Sequence, residues 1–216
     1  MIDLDFAVEG MRVERHTAAP LLMCALRVTN TTPAIPVQNV MLRCQIRIEP
    51  TRRHYGAGEH ARLIELFGLK ERWGETLHSF LWTHTDVLIP AFDTECLIEM
   101  PVPCSYDFNI AATTYFHGLE TGEAPLSLLF SGTIFYSDPE GRLQIQQVAW
   151  SKEATYRLPA ATWHAMMAHY YPNGLWLCLG RDVFEQLQRF KRDRGHPTFD
   201  RALAALLERQ ATDAGP

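Results

Sequence analysis

From Val40 to Ile48 every second residue is apolar: Val40, Leu42, Cys44, Ile46 and Ile48 alternate with Met41, Arg43, Gln45 and Arg47. Successive side chains of a strand point to opposite faces, so this period of two fits a strand with one buried and one wet face, and it does not fit a helix. The same spacing recurs at Ile2, Leu4, Phe6 and Val8. It recurs again at Leu22, Cys24, Leu26 and Val28, ahead of the turn cluster Asn30-Thr31-Thr32-Pro33. A second set runs from Phe80 to Trp150. There Phe92, Thr94, Cys96, Ile98 and Met100 oppose Asp93, Glu95 and Glu99, and Tyr106, Phe108, Ile110, Ala112, Thr114 and Phe116 read as another inward row. Leu126–Tyr136 and Leu143–Trp150 flank Ser137-Asp138-Pro139-Glu140-Gly141, a hairpin turn by its Asp, Pro and Gly. Many short strands with one polar face predict antiparallel sheets packed as a sandwich or partly closed barrel.

Helical spacing breaks the pattern twice. Within Gly58–Phe67, the residues Ala61, Ile64 and Phe67 share one helical face and Gly68 stands where a helix closes. Beyond Arg157 the period lengthens. Pro159 suits a first helical position, Trp163, Met166, Met167, Tyr170 and Tyr171 follow, and Pro172-Asn173-Gly174 stops the run. Arg181–Arg194 carries Val183, Phe184, Leu187 and Phe190 on one stripe before Gly195. Thr198 can then cap a last helix bearing Ala202, Leu203, Leu206 and Leu207. The expected fold class is α+β, in a single domain over 1–210. An antiparallel β-sandwich core (1–157) holds a helical insertion and is followed by a C-terminal layer of about three helices (158–210), with a frayed tail at 211–216. A chain of 216 residues can bury such a core without a disulfide or metal staple.

The formal net charge of −5 gives no general attraction to nucleic acid or to an anionic membrane. Apolar stretches such as Leu175–Leu179 fall far short of the ~20 residues of a membrane span. The first residues lack a basic segment followed by an apolar one, and the five cysteines lack C-x-x-C spacing. The expectation is a cytoplasmic protein that neither inserts in a membrane nor binds nucleic acid. In that compartment the Asn30-Thr31-Thr32 sequon has no meaning.

Each motif has a functional and a plain reading. Gly56-Ala57-Gly58-Glu59-His60-Ala61 matches a dinucleotide fingerprint, but that fingerprint works only in a parallel βαβ unit, and the surrounding strands read as antiparallel. Arg52, Arg53 and His54 precede the same helix and are the candidate anion-binding group, with a solvated basic loop as the plain reading. His78 and His84, Cys96 and Cys104, and His164 and His169 lack metal-ligand spacing, while Cys24, Cys44 and Cys96 fall on inward rows as core thiols. No three His or Cys side chains are expected to converge, and no metal or other cofactor is expected. Ser105, Ser127 and Ser131 lie within or beside strands, not on a nucleophile elbow. Asp93, Glu95 and Glu99 share a strand face, either as paired carboxylates or as its solvent side. No catalytic residue is assigned. The densest block is Trp163–Trp176. Trp163, Met166 and Tyr170 lie at core spacing. Met167, Tyr171, Pro172, Asn173 and Trp176 are the candidate protein-binding residues, because aromatics and Met are enriched in interfaces.

Trp163 with Tyr171-Pro172-Asn173-x-x-Trp176-Leu177, Arg181-Asp182-x-Phe184 and Arg194-Gly195-x-Pro197-Thr198-Phe199 resembles a family of uncharacterised bacterial proteins whose genes accompany nickel–iron hydrogenase clusters. The opening strands and the Asn30-Thr31-Thr32 turn are similar too, so the resemblance covers most of the chain. It attaches no chemistry to any residue. It implies an accessory or assembly role, with a hydrogenase subunit or maturation factor as protein partner. Beside this non-enzymatic binding role stand two alternatives: a sandwich that binds a small anionic ligand or glycan near Arg52, Arg53 and His54, and an enzyme with an unrecognised site.

Overall fold

In the computed structural model the described residues are 2–104, 110–172, 174–175 and 177–213. They group into two compact units, Met1–Gly174 and Leu175–Pro216. Among the described residues the first unit holds all the strands: β1 (Leu4–Glu14), β2 (Leu21–Asn30), β3 (Val37–Ile48), β4 (Phe80–Ile89), β5 (Glu95–Pro103), β6 (Glu123–Ser137), β7 (Leu143–Gln147) and β8 (Glu153–Pro159). One antiparallel sheet has the order β1-β2-β5. The other has the order β4-β3-β6-β7, with β8 paired to the first half of β6 and β7 to the second.

The two rows of strictest alternation are both buried. Leu22, Cys24, Leu26 and Val28 of β2 and Val40, Leu42, Cys44, Ile46 and Ile48 of β3 join one core, with Arg43, Gln45 and Arg47 on the other face. A one-residue slip in either strand would invert every side chain, so the pattern fixes the register. Polar links tie the sheets along their sides. Thr85 Oγ1 donates to the Pro101 carbonyl at 2.6 Å, the Met11 N–H donates to the Tyr156 hydroxyl, and the Gln146 amide pairs with both backbone groups of Ile2. Lys152 Nζ reaches Asp3 and Asp5 at 2.8 Å each. Asn30 is buried, its amide donating to the Ile35 and Asp93 carbonyls, so the sequon side chain is a turn brace.

The hairpin between β6 and β7 forms as its residues indicate: the Asp138 carboxylate accepts from the Glu140 and Arg142 N–H groups, and Gly141 has φ +79°. Gly132, inside β6, has φ +149°, and a Cβ there would lie 2.1 Å from the Met41 carbonyl oxygen. Only glycine fits.

The row expected as a strand through Ile110, Ala112, Thr114 and Phe116 is instead helix α4 (Ile110–Gly118). Tyr106 and Phe108 lie outside the described residues. Ala112, Thr113, Tyr115 and Phe116 face inward at helical spacing and Ile110 is 66% exposed, so Phe116 joins the core with the β3 row and Ile110 does not. The insertion forms α1 (Ala57–Arg62), α2 (Ile64–Phe67) and α3 (Trp73–Thr76). Its buried face is Glu59, Leu63 and Phe67, not Ala61, Ile64 and Phe67. Gly68 closes α2 at φ +73° with its N–H on the Ile64 carbonyl, as expected. Strand β8 runs to Pro159, two residues into the stretch expected as helix, and α5 (Ala160–Tyr170) follows directly with Pro159 as N-cap, one place before the expected first helical position. A bulge where β3 meets β4 turns Trp82 toward Phe116 of α4 and Trp163 of α5. The last two rings stack with centroids 4.4 Å apart.

The second unit contains α6 (Arg181–Asp193) and α7 (Phe199–Asp213), which runs past the expected start of the frayed tail. Gly195, at φ +68°, ends α6 with the His196 N–H on the Lys191 carbonyl, and Thr198 Oγ1 accepts from the Arg201 N–H at the start of α7. Leu187 and Ala202 are buried, and the Phe184 and Phe199 rings lie 5.5 Å apart.

Candidate functional site

The basic group before α1 does not form an open anion site. Arg53 and Glu59 are almost wholly buried, their side chains 8% and 5% exposed, with Arg53 Nη2 at 2.7 and 2.9 Å from the two carboxylate oxygens. The guanidinium also donates to the carbonyls of His54, Thr121 and Glu123 and lies 4.8 Å from the Tyr55 ring centroid. Glu59 accepts from the N–H groups of Gly56 and Glu120. Burial by itself would push the Glu59 carboxyl up, but those two N–H groups and the guanidinium outweigh it and hold the carboxyl below its ordinary value. All three guanidinium nitrogens of Arg53 therefore have partners inside the fold. Arg52 and His54 are exposed and stand without it.

Around this ion pair the insertion builds an aromatic block. The Tyr55 hydroxyl donates to the Pro50 carbonyl, so Tyr115, 3.0 Å away, donates to Tyr55. Burial pushes the Tyr115 phenol up to about 12, which keeps it neutral. Trp73 meets Tyr55 edge-on, and its indole N–H donates to the Gly68 carbonyl. The Gly56–Ala61 motif lies in no parallel βαβ unit, because the strand pairs of the described residues are all antiparallel, and its Glu59 carboxylate instead accepts from the Gly56 N–H at the start of α1.

The remaining candidates separate. Glu95 pairs with Arg27 at 3.2 Å and Glu99 with Arg12 at 3.0 Å, in exposed cross-strand pairs on the three-stranded sheet. Ser127 and Ser131 sit within β6, and Ser105 lies outside the described residues. The Cys24 thiol is pushed up to about 12 by burial and by the Glu99 charge, and burial raises Cys44, Cys96 and Cys104 as well, so none of the four is a ready nucleophile. Among the described residues no three His, Cys, Asp or Glu side chains gather as metal ligands. The His164 ring bonds the Leu119 carbonyl and the His169 ring the Arg15 carbonyl. No described helix is long and apolar enough to cross a membrane.

The aromatic block after β8 is mostly core. Trp163 and Met166 are buried, as their spacing indicates. Met167, expected at the surface, is 7% exposed and belongs to the same core, while Tyr171 is half-buried against it. Helix α5 is covered on a face wide enough to take adjacent residues 166 and 167. Pro172 is exposed, and Asn173 and Trp176 lie outside the described residues.

A row of exposed apolar side chains lies elsewhere, on the outer face of the five-stranded sheet. Met41 of β3 stands directly opposite Leu88 of β4, and Ile145 of β7 stands opposite Phe135 of β6, diagonal to Met41 across Thr133. Leu143 extends the row, and Met41, Leu88, Leu143 and Ile145 are all about two-thirds exposed. Trp150, three residues beyond β7, is 94% exposed. Sequence reasoning missed this row because an outward Met or Leu breaks no alternation within its own strand. Its signal was the cross-strand register, which one strand cannot show.

The chain belongs to a family described as a family of unknown function (DUF6084), whose match spans residues 1–215. Neither a curated protein nor a solved structure matches it.

Proposed function

We propose that this chain is a non-enzymatic binding or assembly factor whose partner is another protein, held on the outer face of the five-stranded sheet. The supporting observation is the row Leu88, Met41, Ile145 and Leu143. Outward positions of an antiparallel sheet are ordinarily polar, and apolar groups gathered on one exposed face mark interaction sites. The buried pair is in keeping with this reading, since Arg53 and Glu59 satisfy each other inside the fold.

The resemblance carried by Trp163, the Tyr171-Pro172-Asn173 turn and the Arg194-Gly195 helix end supplies the partner class: a nickel–iron hydrogenase subunit or one of its maturation factors. Co-expression of the tagged full chain with those proteins, followed by affinity purification, tests it. The expected result is retention of one of them at a fixed ratio that survives raised salt, because apolar contact is not screened as charge pairing is. Failure to retain any of them contradicts the hydrogenase assignment.

A further inference from the structure

The edges of the two sheets are not alike. A bare edge strand templates pairing with another chain, and proteins guard edges with charge, proline or cover. Strand β1 carries Asp5, Glu9, Arg12 and Glu14, and its Met11 N–H is covered by Tyr156. Strand β5 carries Glu95, Glu99, Pro101 and Pro103. Strand β4 carries Asp86 and meets β5 through Thr85, while β8 carries Glu153 and Arg157. Strand β7 reads Leu-Gln-Ile-Gln-Gln, without a charge or a proline, and pairs only with β6 among the described residues.

Its unpaired backbone groups follow from the ladder. The Asp138 N–H bonds the Arg142 carbonyl at one end and the Val148 N–H bonds the Gly132 carbonyl at the other. Antiparallel bonding alternates, so Gln144 and Gln146 bond β6, and the N–H and C=O groups of Leu143, Ile145 and Gln147 point away from it.

We propose that this edge pairs with a second copy of the same chain, β7 against β7, antiparallel about a two-fold axis at Ile145. In that register Ile145 faces its own counterpart and Leu143 faces Gln147, so all three outward residues exchange backbone hydrogen bonds. The paired segment holds no charged side chain, so no charge loses water and no like charges meet. A two-fold axis normal to the sheet keeps both outer faces on one side, which joins the two apolar rows into one strip. The segment is short, so the interface sits at the small end, below roughly 1,200 Å², and the dimer is concentration-dependent. This goes beyond the partner role above and does not depend on any hydrogenase protein.

Sedimentation velocity of the full chain over a wide concentration series, with amide exchange at each concentration, tests the pairing. The expected mass rises from 24.6 kDa toward twice that value. The amides of Leu143, Ile145 and Gln147 should slow with it, while Gln144 and Gln146 are protected throughout. Ile145→Lys, at an exposed position that faces its own counterpart across the axis, should keep the chain at the lower mass with an unchanged melting temperature. A wild-type chain that stays at 24.6 kDa at the highest concentration overturns the proposal, whether the edge is then bare or taken by another protein's strand. So does a dimer in which the three outward amides still exchange fast, a result that needs no variant to interpret.

Discussion

Arg53 and Glu59 carry charge that the fold uses internally, and Glu59→Gln should show it. The substitution leaves a buried guanidinium uncompensated, which costs about 3–5 kcal/mol, whereas Arg52→Gln at the exposed neighbour should stay within about 0.5 kcal/mol. Chemical denaturation of both variants checks this. The same carboxyl sets an acid limb. Its folded value is depressed below the ordinary 4.5, so the folded state binds fewer protons between the two values. Its contribution is complete above about pH 4.5 and is lost as the pH falls through the folded value, so the acid limb of a stability–pH curve should flatten in Glu59→Gln. Gly132→Ala should destabilise by more than an ordinary strand substitution, because φ +149° and the Met41 carbonyl both exclude a Cβ. None of this pairing shows in the run Arg52-Arg53-His54. The partner carboxylate lies inside a glycine motif that has another standard reading, and only the fold brings the two together.

At the scale of elements, strict alternation was a reliable guide where it was long and strongly apolar. The β2 and β3 rows are buried as their residues dictate, and the Asp138 and Gly141 turn closes where its chemistry requires. Alternation misled where the apolar members were small. Ala112 and Thr114 fit a strand or a helix equally, and packing of Phe116 against Trp163 decides for α4. In β7 the inference runs backwards. Leu143 and Ile145 point outward while Gln144 and Gln146 turn in, because Gln146 satisfies the Ile2 backbone and Gln144 the Asp138 carboxylate. Helix α5 gives a test of core against surface. Met167→Ala should cost about 2–5 kcal/mol through the cavity it leaves, and it should leave partner binding unchanged in the folded protein. Weakened binding with unaltered melting would return Met167 to the surface.

For the whole molecule, the candidate site is a surface assembled from three strands that are distant in sequence, which is why no local motif announces it. Leu88, Met41 and Ile145 come together only through the β4-β3-β6-β7 order. The most direct measurement is equilibrium binding of the captured partner to the wild-type chain and to a Met41→Glu, Leu88→Glu double variant, with thermal unfolding recorded on both. Both positions are exposed, so folding should hold to within about 1 kcal/mol. Anchoring residues carry about 2 kcal/mol or more, so affinity should fall by roughly 30-fold or more. Equal affinity for the two proteins, both folded, would contradict a binding role for this face.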